Sequence, residues 1–142
     1  MLRRLANRLF NFPPHPDTPY ITDVHGEKYW AYWGCGEIRC ALHVFYKGRF
    51  IGIVEMFLKD GGMAELTGIE IFSRCRRRLL GRGLGKAMLQ EAINRIRERG
   101  VVAITGIIVP ISGDIMVTKD YLATWYKMQG FTVEGRHIYM LL

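Results

Sequence analysis

A glycine-rich turn, Leu80-Gly81-Arg82-Gly83-Leu84-Gly85-Lys86, constrains this chain most, because it follows a strand-like run and opens a helical one. Glycines at 81, 83 and 85 permit positive φ and leave no Cβ, so successive amides can point at one anion. The start of the helix adds unpaired amides and a favourable dipole. The turn therefore predicts a binding site for phosphate groups.

The charge distribution around the turn supports this interpretation. Six of the net +7 charges lie there, with no acidic residue between positions 74 and 86. They belong to Arg74, Arg76, Arg77, Arg78, Arg82 and Lys86. The spacing fits neither a dinucleotide fingerprint nor a P-loop, because Gly85 comes too early and Ala87 follows Lys86. Taken alone, the turn could also be a basic loop that caps a surface helix.

Length and composition predict a single domain over residues 1–142, with 49% hydrophobic residues and no apolar run long enough for a membrane span. The cysteines, Cys35, Cys40 and Cys75, are odd in number and have no C-x-x-C spacing. They indicate neither a disulfide framework nor a zinc ribbon. We therefore expect no metal and a reduced, cytoplasmic setting.

The order of elements predicts the fold class. Residues 1–19 combine a short basic amphipathic helix with a proline-rich arm. Alternating apolar residues and turn signals predict strands over 20–24, 29–33, 38–46, 49–58 and 63–72. After the glycine turn we expect a helix over 84–99, a strand covered on both faces within 101–110, a loop over 111–117, a helix over 118–129 and strands over 131–133 and 136–142. The predicted class is α/β (α+β), a mixed and mostly antiparallel sheet flanked by helices, with a strand-rich N-terminal half and one parallel crossover.

Two motifs give the chain a resemblance to a known family. One is the loop Gly81-Arg82-Gly83-Leu84-Gly85-Lys86-Ala87 with its helix, and the other is Tyr126-Lys127-Met128-Gln129-Gly130-Phe131 at the end of the later helix. Over about residues 38–142 the chain resembles the GNAT superfamily of acyl-CoA-dependent N-acyltransferases. The resemblance implies acetyl-CoA, that is coenzyme A, as the acyl-donor cosubstrate.

The resemblance also implies which residues bind this cosubstrate. The loop would hold the pyrophosphate through Gly81, Arg82, Gly83, Leu84, Gly85 and Lys86. The preceding strand would contact the pantetheine arm or the acetyl carbonyl through the backbone of Ile71 and Phe72. A second register of the motif, Arg78-x-x-Gly81-x-Gly83, adds Arg78, since Leu80 stands at the usual arginine or glutamine in the first register.

Tyr126 is the implied general acid that protonates the leaving thiolate. By its helical spacing alone it would be a core aromatic residue, and the motif assigns the catalytic role. A phenol stays neutral at pH 7 and can donate a proton to a thiolate. For the base we rank Glu70 first, because it is closest in sequence to Ile71. The alternatives are Glu65, Glu55, His43 and His137.

Two departures from the family pattern concern the acceptor. Lys119 stands where the family often has asparagine, and residues 20–46 read as strands where the family has a helical pair that helps form the acceptor pocket. The acceptor, a small-molecule or protein amine, therefore stays open. The edges near 29–33 and 138–142 could support a homodimer.

The expected function is transfer of an acetyl group from acetyl-CoA to a primary amine by direct attack. The alternatives are a non-catalytic CoA-binding module and a basic nucleic-acid-binding domain, and the concentration of charge at a compact turn disfavours nucleic acid.

Overall fold

The computed structural model describes residues 19–72, 81–109 and 118–142. Eight strands form one sheet with the spatial order β1-β2-β3-β4-β5-β6-β8-β7. The strands are β1 (Tyr20–Thr22), β2 (Lys28–Cys35), β3 (Arg39–Tyr46), β4 (Arg49–Lys59), β5 (Met63–Ile71), β6 (Ala103–Ile107), β7 (Thr132–Glu134) and β8 (His137–Leu141). The helices are α1 (Leu84–Glu98) and α2 (Lys119–Met128), and a 3-10 turn (Asp60–Gly62) joins β4 to β5.

All neighbouring strands are antiparallel except β5 and β6, which are parallel and connected through α1. This arrangement confirms the predicted mixed, mostly antiparallel sheet with a strand-rich N-terminal half. The N-terminal helix predicted within 1–19, the loop predicted over 111–117 and most of the basic run near Arg78 lie outside the described residues.

Helix α1 covers one face of the sheet with the apolar stripe that its sequence predicts. Met88, Ala92 and Ile96 are fully buried, and they pack with Val54 of β4 and Ile104 of β6 in one core. Gly100 ends the helix in the left-handed region at φ 84°. Burying this stripe on β3, β4 and β5 fixes the start of α1 next to the ends of the central strands.

Helix α2 is short, and local signals set both of its ends. The Thr118 side chain caps it by accepting a hydrogen bond from the Tyr121 amide at 3.1 Å. Gly130 ends it at φ 98°, and the Phe131 amide donates to the Tyr126 carbonyl at 3.0 Å. Tyr126, the buried residue of this helix, belongs to the same core as α1.

Two expectations from the sequence are wrong. The strand within 101–110 is not covered on both faces, since Val102, Ile107 and Val109 are more than half exposed. Cys35 and Cys40 form a disulfide, although their number and spacing predicted none. The register of the β2–β3 hairpin places the two residues directly opposite each other, with 4.1 Å between their Cα atoms.

Candidate active site

The glycine turn opens α1 with a sharp, uncapped start. Gly81 and Gly83 have positive φ values of 74° and 69°, and Gly83 is the N-cap of the helix without a side-chain cap. The first intrahelical bond runs from the Ala87 amide to the Gly83 carbonyl at 3.1 Å. The amides of residues 84–86 therefore have no acceptor within the helix, and together with its dipole they form a site suited to an anion.

Gly85 differs from the other two glycines. It lies in the first turn of α1 with a helical φ, so of the three glycines only Gly81 and Gly83 use the positive φ that glycine permits. A Cβ built at Gly85 would lie 3.5 Å from the Trp125 ring, which is an ordinary contact. Helix α2 therefore packs against the first turn of α1 through Trp125, and Tyr126 is the next residue of that helix.

Arg82, the arginine within the turn, is held by a buried carboxylate. Its Nε donates to Oδ2 of Asp23 at 2.6 Å, and its side chain is 30% exposed. Burial by itself raises the pKa of Asp23, but hydrogen bonds from Arg82, Tyr29 and two amides outweigh it and hold that pKa well below its ordinary value. Sequence reasoning missed Asp23, although its place in a turn before His25-Gly26 is typical of an aspartate that binds local amides.

The parallel strands β5 and β6 are paired along only part of their length. Strand β5 pairs with β6 only from Met63 to Leu66, opposite Ala103 to Gly106. A bulge follows, since Met56 lies opposite Leu66 and Glu55 lies opposite Gly68. No residue of β4 therefore lies directly opposite Thr67 in the register. Beyond this bulge β5 continues along β4 to Ile71, whereas its pairing with β6 has already ended, so we expect a cleft between the parallel strands there.

Backbone groups of β5 point into this cleft. The Phe72 amide donates to the Ile51 carbonyl at 2.9 Å, so the neighbouring pair Ile71 and Gly52 is a non-hydrogen-bonded pair. In such a pair the N–H and C=O of Ile71 point away from β4, and alternation gives Ile69 the same direction. Of the two predicted backbone contacts, Ile71 thus has the orientation required for a ligand in the cleft, whereas the amide of Phe72 is used by Ile51. Ile69 is a candidate that the sequence reasoning missed.

Tyr126 is 8% exposed, and its ring packs edge-on against Trp125 and Phe131. Its hydroxyl forms no hydrogen bond with any residue in the described ranges. Burial raises the pKa of Tyr126 above its ordinary value of 10.0, so the hydroxyl keeps its proton throughout the neutral range. The arrangement leaves a neutral donor at the edge of the core with its proton available.

The candidate bases lie on the other face of the sheet. Ile69 and Ile71 pack on the core beneath α1, so Glu70 between them faces away from it and lies opposite Ile53. Ile53 also lies opposite His43 of β3. His43, Ile53 and Glu70 are therefore neighbours across three adjacent strands. Burial and the charge of Arg39 lower the pKa of His43.

The three strand glutamates have different partners. Glu55 pairs with Arg39 and accepts a hydrogen bond from Thr67 at 3.1 Å. Glu65 pairs with Lys59 at 3.2 Å. Glu70 is exposed and has no ion pair within residues 19–72, 81–109 and 118–142. Glu70 is thus the strand glutamate without an ion pair in the described residues, and its role as the base stays a prediction.

The remaining candidates contribute less to this arrangement. His137 is an exposed residue of β8 opposite Ile107, and Lys119 is the exposed first residue of α2. Arg78 lies outside the described residues, so its predicted phosphate contact stays a prediction. Within the described part of the chain, no group of three or more His, Cys, Asp or Glu side chains could hold a metal ion, and no helix has the length and apolarity needed to cross a membrane.

Comparison with known families identifies the class of this protein. A family model described as the acetyltransferase (GNAT) family matches residues 2–110, which is more than half of the chain. The chain therefore belongs to the GNAT family of acetyltransferases. No curated protein matches the sequence significantly.

Solved structures share the fold at low sequence identity. The GNAT domain of S. lividans PAT matches with a TM-score of 0.69 at 13% identity, covering 90% of this chain and 99% of that one. The PaiA N-acetyltransferase from Thermoplasma acidophilum, solved with coenzyme A, matches with a TM-score of 0.58 at 18% identity over 74% of this chain, which spans 62% of that protein. A GNAT family acetyltransferase from Elizabethkingia anophelis, solved with acetyl-CoA bound, matches at 0.59 and 12% identity, covering 73% of this chain and 76% of that one.

Proposed function

We propose that this protein transfers an acetyl group from acetyl-CoA to a primary amine by direct attack of the amine on the thioester. The observation that carries the proposal is the juxtaposition of two features. A helix start whose first amides have no acceptor within the helix lies at one end of the site, and a cleft between the parallel strands, lined by backbone groups of Ile69, lies at the other.

The chemistry of coenzyme A suits both features. Its pyrophosphate requires positive charge and amide donors, which the residues 83–86 and Arg82 provide. Its pantetheine arm carries amide groups that can pair with a strand edge, and the N–H and C=O of Ile69, which point away from β4, present such an edge. Arg78 would add a further positive charge at the phosphates. That family members from Thermoplasma and Elizabethkingia were solved with coenzyme A and acetyl-CoA supports this choice of cosubstrate.

The reaction needs two proton transfers, and the proposed groups for them lie on opposite faces of the sheet. The amine must lose a proton as its nitrogen bonds to the acyl carbon, and the sulfur must gain one as the carbon–sulfur bond breaks. Glu70, on the face away from α1, is the proposed acceptor of the amine proton, directly or through one water. Tyr126, on the face of α1, is the proposed donor to the sulfur. Protons and charge then balance, and the products are the acetylated amine and free thiol.

The first experiment measures the melting temperature of the full chain with acetyl-CoA, ADP or an oligonucleotide, followed by acetyl transfer to a panel of small amines and lysine peptides. A ligand at 100 times its Kd stabilises by about 2.7 kcal/mol, which raises the melting temperature by a few degrees. We expect a shift with acetyl-CoA, a smaller one with ADP and none with the oligonucleotide. Stabilisation without transfer to any amine would instead indicate a CoA-binding module, and stabilisation by the oligonucleotide alone would overturn the proposal.

A further inference from the structure

The turn between β1 and β2 packs against the phosphate-binding turn through a buried carboxylate. The side chain of Asp23 is fully buried and accepts four hydrogen bonds. Its Oδ1 accepts from the amides of His25 and Glu27 at 2.9 and 3.1 Å. Its Oδ2 accepts from the Tyr29 hydroxyl at 2.8 Å and from Nε of Arg82 at 2.6 Å. One carboxylate thus joins two segments that are 59 residues apart.

Backbone contacts reinforce this junction. The Val24 amide donates to the Arg82 carbonyl at 2.9 Å. A Cβ built at Gly83 would lie only 2.8 Å from Cγ1 of Val24, so the two turns approach as closely as a glycine allows. Residues 23–24 therefore hold both the side chain of Arg82 and the main chain immediately before the first amides of α1.

A negative charge beside a phosphate site is unfavourable in itself, since it repels the ligand. Here Asp23 is surrounded by four donors and lies within the protein, whereas Arg82 is 30% exposed. The bond to Asp23 uses Nε, which leaves the terminal nitrogens of the guanidinium for another partner. A long, flexible side chain is thereby restricted to one orientation, and less conformational entropy is lost when an anion binds to it.

We infer that Asp23 is a positioning residue for the cofactor's pyrophosphate, acting through the guanidinium of Arg82. The inference rests on the proposed function, because it takes the anion at the turn to be the pyrophosphate of coenzyme A. A positioning role of Asp23 differs from a role in folding alone, because it affects some ligands and not others. Asp23 affects binding of ligands that carry the pyrophosphate and leaves binding in the cleft between β5 and β6 unchanged.

The test compares three ligands by calorimetry with the full-length wild type and Asp23→Asn. CoA and ADP carry the pyrophosphate, and S-acetylpantetheine does not. We expect the Kd of CoA and of ADP to rise about tenfold in Asp23→Asn, as expected for loss of a charge-assisted hydrogen bond, with the Kd of S-acetylpantetheine within about twofold. In an Arg82→Ala background the same substitution should cause no further increase, because the guanidinium that it orients is absent.

Two tyrosines supply a matched pair of variants. Tyr29→Phe removes a 2.8 Å hydrogen bond to Asp23, and Tyr46→Phe removes a 2.8 Å hydrogen bond to Glu27 in the same hairpin. Tyr29→Phe should weaken CoA binding about threefold and Tyr46→Phe should not. This pair carries the test if Asp23→Asn does not fold.

The outcomes distinguish the positioning role of Asp23 from the proposed function. If Asp23→Asn raises the Kd of all three ligands equally, or of none, while the wild type binds CoA, the positioning role is overturned. Absence of CoA binding by the wild type overturns the proposed function, and the inference with it.

Discussion

The two ends of the candidate site differ in how far the protein satisfies its own polar groups. At the end with the glycine turn, which is the proposed phosphate end, Tyr29 and Arg82 both donate to Asp23 and thereby fix the turn. At the acyl end, the hydroxyl of Tyr126 and the carboxylate of Glu70 have no hydrogen-bond or ion-pair partner among the described residues. The difference is chemically reasonable, because an anchor gains from preorganisation whereas groups that transfer protons must be available to the substrate.

The largest effect should come from Tyr126→Phe. If this hydroxyl protonates the sulfur, its removal should lower kcat about a hundredfold or more, with the Kd of CoA within about twofold. The melting temperature should change little, since no protein hydrogen bond in the described ranges is lost. Tyr121→Phe, at an exposed tyrosine of the same helix, is the matched control and should leave kcat unchanged. An equal kcat for Tyr126→Phe and wild type would show that sulfur is protonated by another group.

Glu70→Gln tests the acceptor side of the acyl end. We expect at least about a tenfold decrease in kcat/KM for the amine and no change in CoA affinity, because the glutamine side chain cannot accept the proton. Glu65→Gln on the same strand is the matched comparison, because Glu65 is a lower-ranked candidate base and its carboxylate pairs with Lys59. Unchanged rates in both variants would move the assignment to His43 or to another base, and a decrease in Glu65→Gln alone would move it to Glu65.

Two alanine substitutions test the phosphate end. Gly83→Ala places a side chain at φ 69° and 2.8 Å from Val24, so it should destabilise the fold by about 2 kcal/mol and weaken CoA binding. Gly85→Ala adds a methyl group within a helix at ordinary contact distance from Trp125, so it should stabilise the fold by up to about 1 kcal/mol. Urea unfolding measures both.

CoA titration of the same two proteins separates folding from binding. Weaker binding by Gly85→Ala despite its greater stability would show that the ligand approaches the first turn of α1 closely. Unchanged binding by both variants would exclude this turn as the phosphate site.

The smallest expected effect is a pH dependence of stability. The pKa of Asp23 is depressed in the folded state, so its contribution to stability is present above its unfolded value of about 3.8 and is lost as the pH falls below it. We expect the difference in unfolding free energy between wild type and Asp23→Asn to shrink between pH 4 and pH 2, because the unfolded wild-type chain then gains a proton at Asp23 whereas asparagine does not titrate. A constant difference over that range would contradict the buried, ionised carboxylate.

Local signals in the sequence explain what could be predicted. The strands and both helices follow from alternation, apolar stripes and turn glycines, and most of their ends differ from the prediction by no more than two residues. Alternation along β5 beyond the bulge places Glu70 on the face opposite Ile69 and Ile71, which a strand pattern alone can indicate.

Other features depend on register or on distant residues, which local patterns do not encode. Gly83 is left-handed because it is the N-cap of α1, and Gly85 is helical because it lies inside α1. The spacing of three alternating glycines does not indicate where the helix begins. The pairing of Cys35 with Cys40 and the bulge at Thr67 follow from strand register. Arg82 donates a hydrogen bond to Asp23, and the two residues come close only when the sheet is complete and α1 packs on it.

The order of the strands has a consequence for how the molecule folds. Strands β1 to β5 each pair with their neighbour in sequence, so their contacts are local, whereas β6 reaches β5 only after the chain has crossed over through α1. Local pairings close short loops and form quickly, and the crossover closes a long one. We therefore expect the antiparallel strands to be ordered in the folding transition state, with low φ-values in β6 and in the first turn of α1. The cleft and the phosphate-binding turn would then be among the last parts to form, and substitutions there would mainly accelerate unfolding.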